Sequence, residues 1–141
     1  MRGADRRHAV VHLAAVSDFD VDRLEIDGRV ASADPDSKLD SGDAVTIHLT
    51  RTPKLLAGLR RLAGPEATIV GFKLTNGATD AERLDAVAKV ASHADLVVHN
   101  DLTEIDDRRH LTTIYRGGEV VASARDNAAL ARALEPLLVT G

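Results

Sequence analysis

Three stretches of the chain are apolar without alternation, the pattern of strands buried on both faces of a parallel sheet. They are Val10–Phe19 (VVHLAAVSDF), Ala67–Phe72 (ATIVGF) and Ala94–Val98 (ADLVV). Each ends in or runs into polar residues: Ser17-Asp18, Lys73, and His99-Asn100-Asp101. Ligands of open parallel sheets bind just beyond the carboxyl ends of the strands, so the pattern predicts one shared ligand edge. Between the first two runs the style changes. Leu24–Ile26 and Arg29–Ala31 flank Asp27-Gly28, a pair suited to the positive backbone angles of a type I′ turn, and read as a hairpin. Ala33–Asp43 (ADPDSKLDSGD) is a polar loop, and Val45, Ile47 and Leu49 alternate with Thr46, His48 and Thr50 as a strand with one buried face. This antiparallel insertion needs a covering surface, and a partner subunit would supply it.

Helical periodicity follows. Thr52-Pro53 is read as a helix start, with Leu55, Leu56, Leu59 and Leu62 as the apolar stripe and Gly64-Pro65 as the stop. Thr79 and Glu82 have capping-box spacing ahead of a helix whose Leu84, Val87, Ala88 and Ala91 are expected to face the sheet. Leu111–Ala122 reads as a hairpin around Gly117-Gly118, and Asp126 caps a last helix carrying Leu130, Leu134, Leu137 and Leu138. Alternating strands and helices give an α/β class: a Rossmann-like three-layer parallel sheet interrupted by the hairpin insertion at about residues 20–50. The 141 residues fit one domain.

Composition narrows the function classes. Aromatics make up 2% of the chain and the formal charge is -4, which argues against stacking platforms and basic tracks for nucleic acid. There is no cysteine, hence no disulfide, thiolate metal site or cysteine nucleophile, and no apolar run long enough to span a bilayer. A cytoplasmic location is expected, with no nucleic-acid or membrane partner. Neither a G-x-G-x-x-G nor a P-loop occurs, so phosphate would be met by helix N-termini or by Lys38 and Lys73, residues that equally suit a solvated surface. His8 and His12 share a strand face and are read as packing rather than as metal ligands. His99 is the best-placed histidine for catalysis. Asn100 and Asp101 beside it read either as ligand contacts or as strand-end caps. Ser17-Asp18 lacks the glycines of a nucleophile elbow.

The order of the landmarks is more specific than any one of them. AAVSDF at Ala14–Phe19, SKLDSGD at Ser37–Asp43, TRTPKLL at Thr50–Leu56, IVGFKL at Ile69–Leu74 and ADLVVHNDLTEI at Ala94–Ile105 together resemble the phosphopantothenate–cysteine ligase (phosphopantothenoylcysteine synthetase) family. The likeness runs from about His8 to the C-terminus. It implies CTP-dependent (or ATP-dependent) ligation of phosphopantothenate with cysteine through an acyl-nucleotide, with Mg²⁺ offsetting the triphosphate charge.

The resemblance also assigns residues. His12, Leu13, Ala14 and Asp18 would line the nucleotide site, Lys38 would bind phosphate, and Pro53, Lys54, Leu55 and Leu56 would approach through backbone groups. Phe72, after a glycine permitting close approach, would meet base or ribose. Lys89 stands near one of two lysines of the family's second nucleotide-binding helix, Ser92 falls near the other, and Ala15, Asn100 and Asp101 form a possible substrate edge. No metal ligands are assigned. The hairpin insertion corresponds to a dimerisation region. His12 and His99 stand where the family carries a small residue and an alanine. The family's N-terminal half, with its glycine-rich turn and the asparagine that holds the acyl-nucleotide, has no counterpart in this sequence. The sheet is therefore expected to be incomplete on that side, and the partner to be a second copy or a chain carrying that half. The other readings are a catalytically silent nucleotide-binding module and a structural subunit.

Overall fold

The structure, a computed structural model, describes residues 8–31, 40–107 and 109–139. They form two compact units, one of residues 8–14 with 55–107 and 109–139, and one of residues 15–31 with 40–54. In the first unit, β1 (Ala9–His12), β5 (Thr68–Thr75), β6 (Leu96–Asp101), β7 (Thr112–Arg116) and β8 (Glu119–Ala124) form one sheet in that order. β1, β5 and β6 run parallel, and the β7–β8 hairpin adds two antiparallel strands, so the sheet is mixed rather than wholly parallel. In the second unit, β2 (Phe19–Ile26) lies between β3 (Arg29–Ala31) and β4 (Val45–Arg51), all antiparallel.

The larger sheet is covered on both faces. Strand alternation turns Val70, Leu96, Val98 and Ile114 to one side, where they pack with Leu134 of α3 (Asn127–Val139). Leu130, Leu137 and Leu138 join them, as the sequence periodicity predicts. Asp126 caps α3, its carboxylate accepting from the Ala129 N–H at 2.7 Å. The opposite face packs Val97 and Tyr115 against Val87, Val90 and Ala91 of α2 (Asp80–Ala91).

The capping box of α2 is formed on both sides, Thr79 with Glu82. The buried stripe of α2 is rotated from the expected one. Leu84 is 53% exposed and Ala88 is exposed, because Arg83 takes the inward position and joins Glu104 at 2.8 Å and the Ala78 carbonyl at 3.1 Å. Gly71 of β5 lies beneath both helices of this face. A methyl carbon there would sit 2.6 Å from Val90 Cγ1 and 3.2 Å from Leu56 Cδ2 of α1 (Leu55–Ala63). The close approach that this glycine permits is therefore that of helices to the sheet.

Two further expectations change. The run Val10–Phe19 is not one buried strand. β1 stops at His12, Leu13 and Val16 are 67% and 52% exposed, and Phe19 opens β2 in the other sheet. β1 pairs with β5 alone, so a run that composition suits to a central strand lies at an edge among the described residues. Thr52 is not the cap of α1, which begins at Leu55. Its hydroxyl donates to the Ser17 carbonyl at 2.5 Å and its N–H to the Asp18 carbonyl at 3.0 Å, so both donors serve a loop contact instead.

The smaller sheet forms as the sequence predicts, with positive φ at Asp27 (49°) and Gly28 (74°) in the β2–β3 turn. An extra residue, Asp22, bulges from β2 and switches its side-chain parity. Val21 and Leu24 thereby come to face Leu49 and Ile47 on one apolar side, although odd and even positions alternate in the sequence. Phe19, Val21, Ile47 and Leu49 on that side are about half exposed.

Gly71 and Gly58 offer a paired test by denaturant unfolding. Gly71→Ala should cost about 1–3 kcal/mol through overpacking against Val90. Gly58→Ala, whose added carbon meets nothing within 4 Å, should stabilise α1 by about 0.5–1 kcal/mol.

Candidate functional site

The carboxyl ends of β5 and β6 extend further than the apolar runs suggest. Lys73, Leu74 and Thr75 continue β5, and His99, Asn100 and Asp101 continue β6, paired residue for residue. β1 ends opposite Gly71, so Phe72–Thr75 pair with β6 on one side and have no β1 partner on the other. This stagger leaves a notch at the strand tips, the position at which open α/β sheets take ligands.

The tips are held by one buried carboxylate. Asp101 is 0% exposed and accepts five hydrogen bonds: from Thr75 Oγ1 (2.5 Å), Thr103 Oγ1 (2.6 Å), and the backbone N–H groups of Gly77 (2.8 Å), Thr103 (3.0 Å) and Ala78 (3.1 Å). These donors fix the turn from β5 into α2 and cap the short 3₁₀ turn Leu102–Glu104. The Thr103 hydroxyl, followed by that of Thr75, holds the carboxyl far below the usual carboxylate range against the opposing effect of burial. Asp101 is thus an ionised structural cap with its lone pairs engaged.

His99 extends the network. Its Nε2 lies 2.9 Å from Thr75 Oγ1. The single Thr75 hydroxyl proton goes to Asp101, so His99 Nε2 must carry the proton it donates to Thr75, which fixes the tautomer by bonding logic. The ring is 2% exposed and packs edge-on against Tyr115, at 6.4 Å between centroids. Burial, followed by the Arg83 charge, lowers its pKa, so the imidazole is neutral. Thr75, Arg83 and Glu104 were not singled out from the sequence. Their roles depend on β5–β6 register and on the α2 stripe, although Thr75 could have been found by aligning the two strands.

Alternation turns Asn100 to the α3 face, away from His99 and Asp101. Its Nδ2 lies 2.9 Å from Nε2 of His110, another residue that the local sequence did not mark. Phe72 is half-buried against the α3-side core, and His12, half-buried, pairs with Gly71. His12, Phe72, Asn100 and Asp101 therefore lie at one edge of the larger sheet, with exposed Leu13 and Ala14 following β1 and Leu55 and Leu56 opening α1. Lys89 does not join them. It occupies the last turn of α2, at the opposite end of the strands, and pairs with Asp85 at 2.6 Å. Ala15, Asp18, Pro53 and Lys54 belong to the smaller unit, all exposed, and Lys38 lies outside the described residues.

The opposite end of the larger sheet is closed by structural contacts. A hollow of ≈ 210 Å³ there is lined by residues including Ala57, Arg60, His93 and Asp95. Arg60 is committed to Asp95 at 2.6 Å and to the carbonyls of Pro65 and Ala67. Asp95 also accepts the Ile69 N–H at 2.7 Å. No helix among the described residues is long and apolar enough to cross a membrane.

A mostly parallel sheet with helices on both faces and a staggered carboxyl edge defines a Rossmann-like α/β domain with an antiparallel companion sheet. The chain belongs to the family of the DNA/pantothenate metabolism flavoprotein C-terminal domain, whose sequence model matches residues 1–136. Its fold resembles the DNA/pantothenate metabolism flavoprotein from Streptococcus pneumoniae (TM-score 0.75, 22% identity, 92% of this chain and 62% of that one). It also resembles a Cab2 mutant in complex with phosphopantothenate-cysteine (TM-score 0.55, 21% identity, 89% and 44%). A third similar structure is the C-terminal domain of the coenzyme A biosynthesis bifunctional protein CoaBC (TM-score 0.52, 20% identity, 92% and 51%). The chain thus spans less than two thirds of each of these structures. No curated protein matches it.

The network sets the acid limb of stability. A histidine with a lowered folded-state pKa contributes stability that is present above its unfolded value of about 6.5 and is lost as pH falls through the folded value. A carboxylate held low behaves in the same direction from about 3.9 downward. Chemical unfolding should therefore show stability falling below about pH 6.5 and again below about pH 4. His99→Gln should flatten the first decline. Asp101→Asn, which sets an amide N–H₂ against converging donors, should lower the melting temperature at pH 7 and flatten the second.

Proposed function

We propose that this chain supplies the C-terminal part of the nucleotide site of a phosphopantothenate–cysteine ligase acting in coenzyme A biosynthesis. The observation that carries the reading is the notch beyond β1. Phe72–Thr75 stand open on one side at the tips of β5 and β6, with His12 and Asn100 at the same edge. Family membership supports the assignment to pantothenate chemistry, and the proposed reaction is the one the sequence resemblance implies. The phosphopantothenate carboxylate attacks the α-phosphorus of CTP, releasing pyrophosphate. The cysteine amine then attacks the acyl carbon, CMP leaves, and an amide forms.

A protein nucleophile is not required, because displacement at phosphorus depends on positioning and charge stabilisation. His12, Leu13 and Ala14 at the end of β1, Leu55 and Leu56 at the start of α1, and Phe72 would position the nucleotide. ATP in place of CTP is compatible with the same groups. Mg²⁺ would arrive on the triphosphate, whose charge it would neutralise. The catalytic asparagine implied by the resemblance would come from the family's N-terminal half. The half-exposed apolar face of β2 and β4 suits a second copy of this chain.

A second reading, a silent nucleotide-binding module, is favoured by Lys89. Its ammonium is engaged by Asp85 and lies at the far end of the strands, so it adds no positive charge at the notch.

Pyrophosphate release from CTP, phosphopantothenate and Mg²⁺ separates the two. Little or none is expected from the chain alone, with recovery when a chain carrying the N-terminal half is added. No release in the reconstituted mixture, with CTP still bound in calorimetry, would leave the silent module. Sedimentation should show a dimer that Ile47→Asp weakens by at least tenfold in dissociation constant, roughly the effect of burying an unpaired charge.

A further inference from the structure

We propose that His110 is a positioning residue for Asn100, fixing the side chain of that asparagine and selecting which end of its amide meets an anionic oxygen of the ligand. The inference rests on the reading of the strand tips as a ligand edge. It adds a role for a residue that neither the motifs nor the family match assigns.

The other two polar residues at the end of β6 are already fully engaged. Asp101 is fully buried with five donors upon it, and His99 is fully buried and bonded to Thr75. Asn100 lies between them in sequence but on the opposite face, at the end of the row Leu96, Val98, Asn100, and is half-buried. Its amide carries two N–H donors and a carbonyl with two lone pairs. His110 Nε2, at 2.9 Å, engages one end of it.

The ring is presented from a backbone tied on several sides. The His110 N–H donates to the Arg125 carbonyl at 2.9 Å, its carbonyl accepts from Thr112 Oγ1 at 3.3 Å, and the residue bridges to Ile105. A group anchored to the end of β8, the start of β7 and the exit of the 3₁₀ turn reaches back to one side chain at the strand tip. An asparagine held in this way loses no rotamer freedom when ligand arrives.

The contact is also selective. The two orientations of an amide share one heavy-atom outline, and the imidazole decides between them. An Nε2 lone pair takes an amide N–H and leaves the carbonyl oxygen outward. An Nε2–H takes the carbonyl oxygen and turns the N–H₂ outward, which is the arrangement a phosphate or carboxylate oxygen needs. Here Nδ2 faces the imidazole, so an anionic ligand at Asn100 would reverse the amide and set Nε2–H of His110 on Asn100 Oδ1.

The test uses the full chain and two probes, Mg²⁺·CTP and phosphopantothenate, in calorimetric titration. His110→Phe keeps the ring outline without its nitrogens and should weaken one probe about five- to tenfold, the loss of about one hydrogen bond. The probe affected identifies the anionic group. His110→Gln, which can present either a donor or an acceptor, should recover most of the loss. Asn100→Ala should weaken the same probe at least as much, and the double variant should bind no more weakly than Asn100→Ala alone. Should the Phe variant fold poorly, His110→Ala takes its place in the same cycle. Unchanged affinity on replacing His110, or losses that simply add in the double variant, would overturn this inference and leave the functional reading standing. No binding of either probe by the parent chain would overturn both.

Discussion

An ionised carboxylate sits at zero exposure where β6 ends, and the geometry of the strand tips depends on how it is satisfied. Burying a charge without partners is prohibitive, but Asp101 receives hydrogen bonds from three separate segments: the end of β5, the turn into α2, and the 3₁₀ turn that follows it. Those segments cannot move apart without stranding the charge. The consequence for function is a division of labour along His99-Asn100-Asp101. Strand alternation sends the first and third inward to the network and leaves the middle residue at the edge.

The same logic distinguishes the two ends of the larger sheet. At the amino end, Arg60 and Asp95 spend their polar capacity on each other and on nearby backbone groups. At the carboxyl end, β1 stops short while β5 and β6 continue, so Phe72–Thr75 pair with β6 but have no β1 partner among the described residues. Gly71 links the two ends. Its missing side chain lets Leu56 and Val90 sit low over the sheet, which brings the start of α1 toward the notch.

How much of this was legible in the sequence follows from the range of the interactions involved. The capping box at Thr79, the Asp27-Gly28 turn, the Asp126 cap and the leucine stripe of α3 are set by residues within a few positions of one another, and each is where the sequence predicts it. The run VVHLAAVSDF was misleading because apolar continuity reports burial only when neighbouring strands exist on both sides. Here the chain leaves the sheet after His12. Helical period turns Leu84 inward, whereas the partners of Arg83 at Ala78 and Glu104 rotate the helix. For Asp101 the sequence left two readings, cap or ligand contact, and only the convergence of Thr75, Gly77, Ala78 and Thr103 identifies it as a cap. His110 carried no local signal, since its partner lies ten positions away across a turn.

The most direct test of the account is a map of backbone amide shifts on titrating the isotopically labelled chain with Mg²⁺·CTP. The account predicts that perturbations concentrate at His12–Ala14, Leu55-Leu56, Phe72–Thr75 and Asn100, with the Arg60, His93 and Asp95 end unchanged. Perturbations gathered at that opposite end, or none at saturating nucleotide, would contradict it.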